Sequence, residues 1–228
     1  MALNDYVAKE PRALPIFVLA DISGSMSGEK INELNLALRE MLNSLKSVDD
    51  IRGKFQLCIV GFGGSVKVVQ ELTDIGDITL NEMTASGNTP MGEAFDVIYD
   101  FIEDKEVVGS RAYAPTIVLV SDGHPTDCTV SRSEYSEWGP LKRLQTGSRT
   151  SKAQRLAMGI GGDADIEMLK AFINNLEIPL IKAKDASGIA AFFRWVTMST
   201  VARMNSVNPN LPCVVAPVVD FDDEEIII

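Results

Sequence analysis

Groups for soft-metal or redox chemistry are scarce in this 228-residue chain, whose three cysteines, Cys58, Cys128 and Cys213, stand far apart with no CxxC pair. An odd number at such spacing argues against a zinc ribbon or a thioredoxin-type motif, so the three read as reduced thiols, with Cys58 buried in a strand. No apolar run reaches the roughly 18 residues that a membrane-spanning helix needs. Even PIFVLA at 15–20 runs straight into Asp21. The opening residues, MALNDYVAKEPRA, lack the basic-then-apolar pattern of a signal peptide, and a cytoplasmic location is the expectation. Basic residues are outnumbered as well, 21 Lys and Arg against 32 Asp and Glu, giving a formal net charge of −11 with no basic cluster along the chain. Such a balance repels phosphate backbones and anionic lipid, which argues against nucleic acid and against membrane insertion. GxSxG, Walker and HExxH motifs are also missing, and with them the usual signs of an enzyme.

What is present is a hydrophobic fraction of 46% spread in short runs, as expected of a globular core. The pattern predicts strands at 15–20, 54–62, 65–72, 116–120, 153–160 and 179–183. Helices are predicted at 29–47, 91–103, 164–175 and 188–204, with a short one near 140–145. Apolar residues at three-and-four spacing (Ile31, Leu34, Leu38, Met41, Leu42, Leu45) make the first helix amphipathic. TIVLV at 116–120 is β-branched and closed by SDG, so it belongs in the sheet centre. Gly63-Gly64 before SVKVVQEL suits a hairpin and an antiparallel edge strand. The expected fold is α/β: a doubly wound, mostly parallel sheet with one antiparallel edge strand and helices on both faces. It occupies residues 14–205, between an N-terminal extension (1–13) and a C-terminal tail (206–228).

Three separate loops, each after a strand or before a helix, carry small oxygen-bearing side chains: Asp21, Ser23 and Ser25 in DISGS, Thr89 in GNTPMG, and Asp122 in VSDG. Loops at the carboxyl ends of parallel strands converge at one sheet edge, so these five groups can meet. Hard oxygen ligands without His or Cys select a hard cation such as Mg²⁺ or Mn²⁺. Capping of the following helix is the plainer account of the DISGS residues taken singly, but it leaves Thr89 and Asp122 unexplained.

The DISGS turn, the later Thr89 and the still later Asp122 resemble, in kind, order and strand context, the metal-ion-dependent adhesion site (MIDAS) of von Willebrand A domains. The resemblance implies that Ser23, Ser25 and Thr89 bind the metal through hydroxyls and that Asp21 and Asp122 act directly or through water. It also implies a partner protein that supplies an Asp or Glu carboxylate. LPIFVLADISGSMSGEKI, VLVSDGHPTD and SKAQRLAMGIGGDADIEMLKAF are similar to the bacterial TerY-like tellurite-resistance group. That likeness implies a cytoplasmic stress-response scaffold working with other Ter proteins, a kinase or a phosphatase. A metal-dependent phosphotransferase or hydrolase, or a subunit partnering a separate ATPase, is the alternative.

Other features have two readings each. His124, beside Asp122, is an ordinary loop residue or a rim to the metal and partner; Asp127 supports the metal loop or only its turn. GIGGDA at 159–164, with Asp185 as a ribose acid, fits a dinucleotide fingerprint, but its late position favours a tight structural turn. The tail DFDDEEIII at 220–228 reads as a frayed end or as a segment that docks on a partner.

Overall fold

The computed structural model describes residues 11–48, 53–217 and 226–227. Its elements in chain order are β1 (Arg12–Asp21), α1 (Glu29–Lys46), β2 (Gly53–Gly63), β3 (Ser65–Asp74), α2 (Met91–Glu103), β4 (Thr116–Ser121), α3 (Gly139–Thr146), β5 (Gln154–Ile160), α4 (Ile166–Ile173), β6 (Leu180–Ala183), α5 (Ser187–Asn205) and β7 (Ile226–Ile227). They build a seven-stranded sheet in the order β3-β2-β1-β4-β5-β6-β7. The pairs β2-β1, β1-β4, β4-β5 and β5-β6 are parallel, and β3 is antiparallel to β2, as the glycine hairpin predicts. The reversal of strand order falls between β1 and β4, whose carboxyl ends therefore flank the crevice where ligands bind in such sheets.

Every residue of β4 is buried, because strands on both sides and helices on both faces leave it no solvent contact. Helices α1 and α5 pack together on one face. On the other, Phe95 of α2 stacks on Phe172 of α4 with centroids 5.6 Å apart and meets Trp138 edge-on at 5.8 Å. Burial pushes the Cys58 thiol in β2 up to about 12, with Glu71 adding to the effect, so it serves as a small core hydrophobe. No helix among the described residues is long and apolar enough to cross a membrane.

The structure departs from the expectations in three places. Helix α4 is shorter than 164–175: the Asp165 side chain accepts from Met168 N as an N-cap, and Asn174, with φ 46°, turns left-handed and ends it. Part of the tail is neither frayed nor free: Ile226 and Ile227 pair antiparallel with Ile181 and Leu180, covering an otherwise open sheet edge. The rest of the acidic stretch, 218–225, lies outside the described residues. Finally, against the expectation of no basic cluster, Arg149, Lys152 and Arg155, which fall within seven residues of sequence, are joined in space by Arg12 at the amino-terminal edge of the sheet.

The chain after α5 returns along that edge. Asn210 Oδ1 accepts from Ala114 N at 3.0 Å, Cys213 N donates to Gln154 Oε1 at 2.8 Å, and Trp195 Nε1 donates to Val215 O at 2.8 Å.

Candidate metal centre

Strands β1 and β4 run parallel in register, Ala20 beside Val120, so their ends deliver Asp21, Ser121 and Asp122 to one place. Asp21 is fully buried. Its Oδ1 accepts from Ser23 N at 2.9 Å and its Oδ2 from Ser121 Oγ at 2.6 Å, which fixes the carboxylate at the root of the DISGS turn. Burial pushes the Asp21 carboxyl above its usual range, against hydrogen bonds from Ser121 and Ser23 that pull it down, and the nearby Asp122 raises it further. Ser25 Oγ donates to Asp122 Oδ1 at 2.7 Å and stands 3.0 Å from Ser23 Oγ. Four of the five sequence-derived residues thus form one hydrogen-bonded cluster.

The fifth, Thr89, sits in a loop clamped against the first. Gly24 N donates to Gly87 O at 2.9 Å, Ser86 N to Ile22 O at 2.7 Å, and Gly64 N to Asn88 O at 2.8 Å. So close an approach needs glycine: Gly87 has φ 71°, and a Cβ there would stand 2.4 Å from the Gly64 Cα. The backbone of Thr89, not its hydroxyl, ties it to the loop after β4: its N donates to Thr126 Oγ1 at 3.1 Å and its O accepts from Thr126 N at 2.9 Å.

The helix-capping account of these serines is not what the chain adopts. The N-cap of α1 is Gly28, φ 85°, with no side-chain cap bond, and Ser23 at the head of the 3-10 turn Gly24–Met26 makes none either. Their hydroxyls face each other and Asp122.

Three participants escaped the sequence reading. Ser121 holds Asp21, Thr126 holds Thr89, and Lys30 Nζ lies 2.5 Å from Asp122 Oδ2. Ser121 and Thr126 flank Asp122 in the same VSDGHPT run, a faint signal. Lys30 is 92 residues from its carboxylate and gave none.

The neighbouring residues have other work. Asp127 accepts from Gly92 N at 3.2 Å and Glu93 N at 3.0 Å, so it satisfies the open N–H groups at the start of α2. His124, 46% exposed at its side chain, has Nδ1 2.6 Å from Asp165 Oδ2 and Nε2 2.8 Å from Arg132 Nη2. Tyr135 OH donates to the same Asp165 oxygen at 2.5 Å. In the GIGGDA turn, Gly161 has φ 78° and donates from N to Ala183 O at 2.8 Å. Asp185 accepts from Ser187 N and Oγ at the head of α5.

Asp165 supplies a pH prediction. Burial alone would raise its carboxyl, but the hydrogen bonds from Tyr135, His124 and Met168 N outweigh burial and hold it below its ordinary value of 3.8. A depressed carboxyl contributes stability that is complete above its unfolded value and lost as pH falls through the folded one. Asp165→Ala is therefore expected to cost about 2–3 kcal/mol at neutral pH, the sum of a helix cap and charge-assisted hydrogen bonds. Urea midpoints of wild type and variant should converge in acid below the Asp range. A gap that stayed constant down to acid pH would show that the charge plays no part.

Residues 16–124 match the family model of the von Willebrand factor type A domain. Over that stretch, just under half of its length, the chain is similar to the von Willebrand factor type A domain. Among curated relatives, pig (Sus scrofa) inter-alpha-trypsin inhibitor heavy chain H2 is 25% identical over 176 residues, covering 73% of this chain but 18% of that protein. The chain thus spans under a fifth of the length of that relative. Among solved structures, proximal thread matrix protein 1 from the mussel byssus, with a zinc-occupied MIDAS motif, superposes with a TM-score of 0.58 at 16% identity, covering 82% of this chain and 48% of that one. Manganese-loaded TRAP protein of Plasmodium vivax gives a TM-score of 0.57 at 18% identity, covering 89% and 75%. At those identities the structural likeness bears on the fold alone, and it agrees with the expected doubly wound, mostly parallel sheet.

Proposed function

We propose that Asp21, Ser23, Ser25, Thr89 and Asp122 hold Mg²⁺ or Mn²⁺, and that the domain uses the ion to bind a carboxylate of a protein partner. The observation that carries this reading is the mutual arrangement of Ser23, Ser25 and Asp122: their oxygens converge while α1 is left without a side-chain cap. The donor set fits a hard divalent cation, since it consists of carboxylate and hydroxyl oxygens alone. The Lys30 ammonium against Asp122 Oδ2 also marks this as a place that attracts positive charge. The zinc-occupied and manganese-loaded domains of similar fold support a divalent ion at such a site.

When bound, the ion supplies an open coordination position for an outside carboxylate. The residues do the rest. Ser121 and Ser23 N orient Asp21, the clamp through Gly87 presents Thr89, and Lys30, 30% exposed at its side chain on a flexible stem, can withdraw from Asp122. With a net charge of −11, the surface repels an acidic partner wherever no metal is present, so the ion acts as a switch. The motif resemblance to TerY-like proteins supports a scaffold role in a cytoplasmic bacterial stress or tellurite-resistance complex, alongside Ter proteins, a kinase or a phosphatase. A binding module without catalysis is the reading we adopt.

The test uses an Asp- or Glu-bearing peptide selected on immobilised wild-type protein in Mg²⁺ or Mn²⁺. Thr89→Ala is expected to weaken that peptide about tenfold or more with native circular dichroism, because it removes one hydroxyl ligand while the backbone bonds to Thr126 that hold the loop remain. EDTA should abolish binding. Equal affinity in wild type, Thr89→Ala and metal-stripped protein would place the binding surface elsewhere.

A further inference from the structure

The opposite edge of the sheet holds an unmatched charge. Arg155, second residue of β5, is only 7% exposed, and Gln154 beside it 1%. The Arg155 Nε donates to Ile173 O at a long 3.3 Å. Its Nη1 is buried with no hydrogen-bond partner among the described residues, and so is the Nε2 of Gln154, whose Oε1 is already taken by Cys213 N. Burial pushes the Arg155 guanidinium down, and no carboxylate among the described residues counters it. Leaving a guanidinium and an amide N–H group dry and unpaired is costly.

Both residues line a cavity of about 300 Å³ together with Lys152, Asn174, Asn175 and Asn210. Lys152 and Asn210 also line an adjoining cavity of about 410 Å³, where Arg12 and Arg149 stand. Among the described residues no Asp or Glu lines either space. The Arg12 guanidinium lies over the Tyr113 ring and donates to Arg111 O, and the Arg149 guanidinium donates to Asp104 O and Gly109 O, so both guanidinium groups meet neutral acceptors, while the Arg149 backbone N donates to Glu103 Oε1 at 2.8 Å. Lys152 is exposed and has no ion pair among the described residues. In a chain with net charge −11, cations that avoid carboxylates at a concave site call for an anion from outside.

We propose that this amino-terminal edge, remote from the metal centre, binds the phosphate group of a small ligand. The donors are guanidinium, ammonium and amide N–H groups from different segments, which suits an anion whose oxygens point in several directions better than a planar carboxylate. The cavity falls in the range of about 300–1,000 Å³ typical of small-molecule sites. Nucleic acid is disfavoured because the chain as a whole repels a polyanion.

The experiment is a thermal melt and calorimetric titration of the full chain in EDTA with inorganic phosphate and with glycerol phosphate, against sodium chloride at matched ionic strength. Both phosphates are expected to raise Tm by about 3–6 °C at ten times their dissociation constants. Tighter binding of the ester marks a phosphorylated metabolite as the source, and equal binding marks free phosphate. Lys152→Ala, an exposed change that spares the fold, should weaken both about tenfold. Arg155→Met should abolish the response while leaving the unliganded Tm unchanged or higher. No response in wild type would overturn the proposal, and so would a response of the same size in wild type and both variants.

Discussion

Arg203→Met is expected to destabilise the protein by about 3–5 kcal/mol, read as a lower urea midpoint at unchanged slope. Arg203 is fully buried in the last turn of α5. Its guanidinium donates from Nε to Pro209 O at 2.8 Å, from Nη1 to Thr116 Oγ1 at 2.9 Å and Pro115 O at 3.3 Å, and from Nη2 to Ala114 O at 2.7 Å. Those bonds join the end of α5, the returning chain after it and the start of the central strand β4. Burial pushes the guanidinium down to about 10, so holding the charge there has a cost, but every donor nitrogen finds an acceptor. Methionine would fill much of the volume and strand those oxygens. The same change at Arg155, whose Nη1 has no partner among the described residues, is expected to be harmless or stabilising. The contrast isolates hydrogen-bond satisfaction from burial, since both residues are buried arginines. A loss below about 1 kcal/mol for Arg203→Met would mean that the surrounding oxygens find water instead.

The elements that the sequence announced are those in which many residues agree. TIVLV lies at the sheet centre and MGEAFDVIYDFIE is α2 over its whole length, because hydrophobic period and boundary residues coincide. Where a single residue decides, the pattern misleads: Asn174 stops α4 by turning left-handed although the apolar spacing runs on. The DISGS, Thr89 and Asp122 set was legible because parallel βα topology brings such loops to one edge regardless of their distance in sequence. Its supports were not. Ser121 reaches Asp21 across 100 residues, marked only faintly by its place beside Asp122, and Lys30 reaches Asp122 across 92 with no local mark at all. The basic edge was partly legible, since Arg149, Lys152 and Arg155 fall within seven residues, but Arg12 joins them only when β1, β4 and β5 align. The pairing of Ile226 and Ile227 with β6 depends on an open edge that appears only once the sheet is assembled.

The central claim is that the DISGS edge holds a divalent ion, and Asp21 is where it is most exposed to refutation. This carboxylate is buried and pushed above its usual range by that burial, with Asp122 nearby adding to the push. In EDTA, Asp21→Asn should therefore melt at the wild-type temperature or slightly above it, because the amide fits the same space without the desolvated charge. Toward a cation the same change should be severe, since it removes half of the carboxylate charge that Asp21 and Asp122 bring to the site. The direct measurement is a Mn²⁺ titration of both proteins, followed by calorimetry or by the loss of the free-ion paramagnetic signal. Wild type should bind a single ion that also raises its Tm, and Asp21→Asn should bind it at least about 10–100-fold more weakly with no shift in Tm. Equal Mn²⁺ affinity in wild type and Asp21→Asn, or no binding by the wild type, would contradict the account.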